Sequence, residues 1–276
     1  MSPFWYIAWL IYRECIIAAQ ELILTILRVY LSYIIDHYNE LPDIVMFFHA
    51  HRQAWHNNIL LDLDSTQTIK RLNPERVDRI GYMNMRCHLD PGCPNWIHMD
   101  RPDVDYDEVK KPEEKAISKK VWRELFPNTR IPAALSQPCC AQFAVSRDAI
   151  RQHPKSKYIY FRDWLLNTDL EDAMSGRIFE YSWQYIFTGN AELCPIMHSC
   201  YCDGYGICFG SAQKLDDWLG TLKESEKLHD KKESERGPED EETANKLDAL
   251  IRREKEKAYE RGKDPKNREL ERERID

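Results

Sequence analysis

Between His49 and Asn57 the chain reads HAHRQAWHN, with three imidazoles, an arginine, an indole and two amides in nine residues. In an extended segment His49 and His51 project to the same side. With His56 they could ligate a metal. With Arg52 they could face a phosphate or carboxylate. The plainest alternative is a set of loop histidines bonded to backbone. His49 and His51 are candidate catalytic groups here, and Arg52, Trp55, His56 and Asn57 are candidate substrate contacts. Five residues on, Asp62 and Asp64 form an Asp-x-Asp pair. Two carboxylates at that spacing can share a divalent cation that clamps a diphosphate, and such a cation is the one cofactor the residues suggest.

Glu180 lies in GRIFEYSWQYIF, with Arg177 three residues before it and Trp183, a further candidate substrate contact, three after. A carboxylate on an aromatic helix can serve as a general base, its pKa raised by apolar neighbours. It can equally pair with Arg177 on a solvated stripe. Cys194, Cys200, Cys202 and Cys208 follow the pattern C-x5-C-x-C-x5-C, and Cys87 and Cys93 repeat the five-residue gap. Two disulfides or one tetrathiolate zinc would each staple such a segment. Zinc sites usually use gaps of two to four, so disulfides fit better, and with them an oxidising, secretory compartment. Cys139 and Cys140 open a strand-like run. Adjacent residues of a strand face opposite sides, so these two are expected as buried thiols rather than a bonded pair. GxGxxG, GxxxxGK, GxSxG and HExxH are absent from the sequence. Dinucleotide enzymes, P-loop NTPases, α/β-hydrolases and zincins are therefore poor fits.

The elements that must hold these residues are legible in outline. Across 16–38 the polar positions recur every three or four residues on an otherwise apolar stretch, which predicts a helix packed on a sheet. IVMFF (44–48) and CCAQFAV (139–145) are buried-strand runs. YMNMRC (82–87) alternates as a strand. KKVWRELF (119–126), SKYIYFRDWLLN (156–167) and SGRIFEYSWQYIF (175–187) read as helices, and Ser146 caps another over RDAIRQ. Residues 90–118 read as a surface excursion, and 194–210 as a Cys-rich coil. The histidine loop then sits at the C-terminal end of a strand, where open α/β sheets place ligands.

Composition bounds the rest. The 276 residues carry a net charge of −7, which argues against a nucleic-acid partner. From Thr221 onward 34 of 56 residues are charged, so 211–276 is expected as a charged helical or disordered tail that contacts the body little. Residues 3–12 are apolar, but Arg13 and Glu14 end the run before it can span a bilayer. Residues 1–27 are read as an atypical hydrophobic segment, forming a buried hairpin or associating with a membrane surface.

YLSYIIDHYNELPDIVMFFHAHRQAWHN, GYMNMRCHLDPGCP, PCCAQFAVSRDAIRQHPKSKY, WLLNTDLEDAMSGRIFEYSWQYIF and CPIMHSCYCDGYGICFG together resemble the uncharacterised, largely fungal family called Domain of Unknown Function 3431, from about Arg28 to Gly210. That family is distantly similar to nucleotide-sugar glycosyltransferases of the GT-A type, through QFAVSRDAI and FEYSWQYIF. The resemblance implies a single Rossmann-like mixed sheet flanked by helices over a 28–210 core. It also implies a nucleotide sugar and a carbohydrate acceptor as partners, with Gln142 at the acceptor side and Glu180 as base. Residues 1–27 do not look like the strand-and-loop unit that usually opens the family. A degenerate nucleotide site, leaving a non-catalytic carbohydrate-binding or structural protein, is the alternative; a His-loop metal hydrolase is a third.

Overall fold

The computed structural model describes residues 22–99, 117–231 and 237–272. The hydrophobic segment 1–21 and most of the 90–118 excursion lie outside them. The described chain divides into two units. The first holds the residues up to Asn58, with Leu63–Ser65 and Pro74–Cys194; the second holds Ile59–Asp62, Thr66–Asn73 and the residues from Pro195 onward. The expected 28–210 core thus contributes to both.

The first unit is built on a three-stranded sheet. β1 (Ile44–Phe47) and β2 (Tyr82–Asn84) flank β5 (Phe143–Ser146), and both pair with it antiparallel. Phe47 stands opposite Phe143, and Tyr82 opposite Val145. A second, two-stranded antiparallel sheet joins β3 (Ile97–His98) to β4 (Ala134–Leu135). The expected single Rossmann-like mixed sheet is therefore not formed by the described residues. The run CCAQFAV enters the sheet only at Phe143, because Cys140 and Ala141 take left-handed backbone angles (φ 85° and 47°) that a strand cannot accommodate.

Helices cover the sheet. α1 (Leu22–Asp36) packs against α6 (Lys155–Asn167) and α7 (Asp172–Glu180), while α3 (Pro74–Ile80) packs on β2 and β5. α4 (Lys119–Leu125), α5 (Arg147–Arg151) and α8 (Trp183–Thr188) complete the α-helices of this unit, while α2 (Ser65–Arg71) falls almost wholly in the second. Their ends follow local chemistry. Ser118 and Ser146 accept from Val121 N–H and Ala149 N–H as N-caps, and Gly189 closes α8 in the left-handed conformation. The core is aromatic. Phe143 lies 5.0 Å from Phe47 and 5.2 Å from both Tyr82 and Trp183, ring centre to ring centre.

The second unit is helical: a 3-10 turn at Ile59–Leu61 and most of α2, then α9 (Met197–Tyr205), α10 (Ala212–His229), α11 (Pro238–Gly262) and α12 (Pro265–Leu270). The Cys-rich segment is thus a helix over most of its length, not a coil. The described part of 211–272 is folded rather than a loosely attached tail. The Trp218 indole donates to Ile251 O at 3.0 Å, Cys208 N–H donates to Ala258 O, and Tyr259 OH donates to Leu60 O at 2.9 Å. Arg71 lies over the Tyr259 ring. Helix α11 is charged on most faces, so its periodicity hides this seam: a few residues such as Ala244 and Ala258 make the buried contact. Gly262 passes so close to Gly206 that a Cβ would collide with the Gly206 carbonyl oxygen.

All eight cysteines among the described residues are disulfide-bonded. Cys93 is bonded to Cys194, Cys202 to Cys208, and Cys139 to Cys140; Cys87 and Cys200 are disulfide-bonded as well. This usage fits an oxidising compartment. Among the described residues no helix is long and apolar enough to cross a membrane.

Candidate functional site

The segment 137–142, just ahead of β5, is where the chemistry-bearing residues of the first unit meet. At its far end Gln142 accepts from His49 N–H at 3.2 Å and donates to Asn57 Oδ1 at 3.0 Å. Asn57 in turn donates to Leu63 O at 2.8 Å and to Arg52 O at 3.3 Å. These bonds clasp the histidine loop to the sheet. Asn58 ties the same loop to the stretch after β2, donating to Met85 O and accepting from Cys87 N–H at 2.9 Å.

At the near end Gln137 accepts from Tyr82 OH at 2.8 Å and donates to the Glu180 carbonyl. Asn84 donates to Pro138 O at 2.6 Å. Cys139 N–H donates to Pro91 O, and Cys140 N–H donates to the Glu180 carboxylate at 2.6 Å. Cys139 and Cys140, expected as buried thiols on strand geometry, are bonded to each other, and the backbone at Cys140 and Ala141 is left-handed rather than extended. Arg86 closes the ring. Its Nη1 donates to Cys139 Sγ at 2.9 Å, and its guanidinium lies 5.5 Å from the centre of the Trp55 ring. Trp55 is 65% exposed, although every other tryptophan among the described residues is partly or fully buried.

Trp55, Arg86, the vicinal disulfide and Glu180 are therefore linked contact by contact. Three histidines near them have their charged form disfavoured. Burial, with repulsion from His56 and His51, lowers the His49 pKa to about 4. Burial, with repulsion from His51 and Arg86, lowers that of His56. His88 falls to about 4 through burial beside Arg86. The His49 and His56 rings lie 5.0 Å apart, and His56 Nε2 has no hydrogen-bond partner among the described residues.

Several candidate roles change. Trp183 is fully buried among Tyr30, Phe143, Phe179 and Phe187, so it is core rather than a substrate contact. Gln142 and Asn57 are 3% and 4% exposed with their amides engaged internally, so they hold the loop instead of meeting a ligand. The Asp-x-Asp pair does not gather for a cation. Asp64 is buried against Arg52 at 3.0 Å, and Asp62, in a left-handed turn, pairs with Lys255 at 2.6 Å. Among the described residues, clusters of three metal-ligating side chains occur at Cys139, Cys140 and Glu180 and at Cys202, Cys208 and Glu271. In both the cysteines are bonded to each other. His51, Arg52 and Trp55 stay at the surface.

Arg86, Asn84 and Gln137 escape a reading by motif. Their signal is faint: Asn84 and Arg86 are the polar alternates of MNMRC, which reads only as a strand. No curated protein and no solved structure matches the chain. One family does match, over residues 27–203, and the chain belongs to it: the family described as protein of unknown function DUF3431.

Proposed function

We propose that the first unit binds a carbohydrate through the patch around Trp55, without transferring it. The observation that carries this reading is the exposed Trp55 indole, set beside the buried Arg86 guanidinium and the His56 ring. An indole face covers the apolar C–H face of a sugar ring, and fixed polar groups at its edge bond the hydroxyls. The clasp through Asn57 and Gln142 holds the loop in place before binding, which lowers the entropy lost on association. Disulfide-bonded cysteines suit a compartment rich in glycans, and we place the protein in the secretory pathway.

Glycosyl transfer from a nucleotide sugar is the second reading. What favours it is Glu180, a partly exposed carboxylate oriented by Cys140 N–H within the same patch. Against it stand the small antiparallel sheet and the separate neutralisation of Asp62 and Asp64. Calorimetry of the full chain against glycan fragments and nucleotide sugars, with and without manganese, tests both. The binding reading expects saturable binding of a glycan that Trp55→Ala weakens at least tenfold, with no nucleotide released. Release of nucleoside diphosphate, abolished in Glu180→Gln, would replace it with the transfer reading. Binding to no sugar would overturn both.

A further inference from the structure

The Cys139–Cys140 bond joins adjacent residues. A disulfide stabilises a fold by closing a loop in the unfolded chain, and this one closes none, so stapling does not account for it. The backbone beneath it is held in an unfavourable form, with non-glycine residues at φ 85° and 47°. Four surrounding bonds hold it there: Asn84 to Pro138 O, Cys139 N–H to Pro91 O, Cys140 N–H to Glu180, and Gln137 to the Glu180 carbonyl. The two sulfurs differ in their settings. Cys139 is 3% exposed, with the Arg86 guanidinium 2.9 Å from its sulfur; Cys140 is partly exposed, beside the Glu180 carboxylate.

We propose that this pair is a thiol–disulfide exchange site whose substrate is a dithiol, small or on a protein. The dithiol's first sulfur, as thiolate, attacks Cys140 Sγ. The Cys139–Cys140 bond breaks and its electron pair leaves on Cys139 Sγ, where the cation of Arg86 stabilises the thiolate. The dithiol's second sulfur, having lost its proton, attacks its own partner in the mixed disulfide. Cys140 leaves and takes up a proton, because the neighbouring carboxylate disfavours a second negative charge there. The dithiol has then lost two electrons and two protons. Both electrons reside on the cysteine pair, one proton is on Cys140 and the other is in solvent. Exposure of Cys140 and the Arg86 cation beside the departing Cys139 sulfur select the same direction of attack. The Arg86 cation at Cys139 also favours exchange over capture of a metal cation by the reduced pair.

The test uses the intact, oxidised chain. Alkylation without reductant is expected to leave Cys139 and Cys140 unmodified. Brief exposure to glutathione, acid quench and peptide mapping are expected to find the adduct on Cys140. Arg86→Gln is expected to slow reduction of this pair by dithiothreitol about tenfold, with Arg86→Lys recovering part of the rate, while Cys93–Cys194 is reduced at an unchanged rate. Free Cys139 and Cys140 in the untreated protein, an adduct on Cys139, or a reduction rate indifferent to Arg86 would each overturn the proposal. So would stoichiometric zinc retained by the reduced chain. Where Arg86→Gln does not fold, the adduct position in the unaltered chain still decides. Sugar binding plays no part in any of these readouts.

Discussion

Replacing Gln142 with Met tests whether one amide holds the histidine loop. The two side chains are similar in volume, so repacking costs below about 1.5 kcal/mol. Two hydrogen bonds vanish. Asn57 Oδ1 loses its partner where the residue is only 4% exposed, and an orphaned buried acceptor costs about 1–3 kcal/mol. His49 N–H, on a partly exposed residue, regains water and costs roughly 0.5–1 kcal/mol. The expected loss is about 2–4 kcal/mol, a large share of the stability of an ordinary domain. Urea unfolding at constant m measures it. Hydrogen exchange in peptides covering 49–58 is expected to quicken more than exchange in α6, because the clasp acts locally. A loss under about 1 kcal/mol with unchanged exchange in 49–58 would show that Gln142 is not the clasp.

Other consequences are as direct. His49 and His88 have folded pKa values of about 4, below the unfolded value near 6.5. The unfolded chain therefore binds their protons first, and stability present above pH 6.5 is lost as pH falls toward 4. Each contributes a slope of about 1.4 kcal/mol per pH unit in that window, and urea midpoints at pH 7 and 5.5 should show it, flattened in His88→Gln. Gly92 has φ +122°, and a Cβ there would collide with Gln137 O; Gly92→Ala should cost about 2–4 kcal/mol, measured by thermal melting. The Trp183 indole N–H is buried with no partner among the described residues. Trp183→Phe, which leaves a cavity but forfeits no hydrogen bond, should lose about 1–3 kcal/mol and Trp183→Ala about 3–5, with sugar binding retained in the first; a loss in Trp183→Phe as large as in Trp183→Ala would refute this. Deleting the residues from Gly237 onward should remove the cover of Trp218 and lower the melting temperature; an unchanged melt would restore the view of a solvated tail.

Local chemistry determined much of this protein. Apolar runs marked β1 and β5, a serine marked the start of α5, and glycine marked the end of α8, because strands, caps and turns depend on neighbours within a few residues. Cysteine spacing pointed to stapling of the segment after Cys194. Folding alone decided which residues meet. Gln142 reaches Asn57 across 85 positions, and Arg86 reaches Cys139 across 53. No local period records such pairings, since they follow from β5 entering between β1 and β2 and from the left-handed turn at Cys140 and Ala141. The same turn explains two departures from the local reading. It shortens a promising strand to Phe143–Ser146, and it brings adjacent sulfurs to one side where an extended chain would hold them apart. Burial was equally invisible: Trp55 and Trp183 are the same residue type in aromatic surroundings, and only the packed core made one a surface and the other an interior.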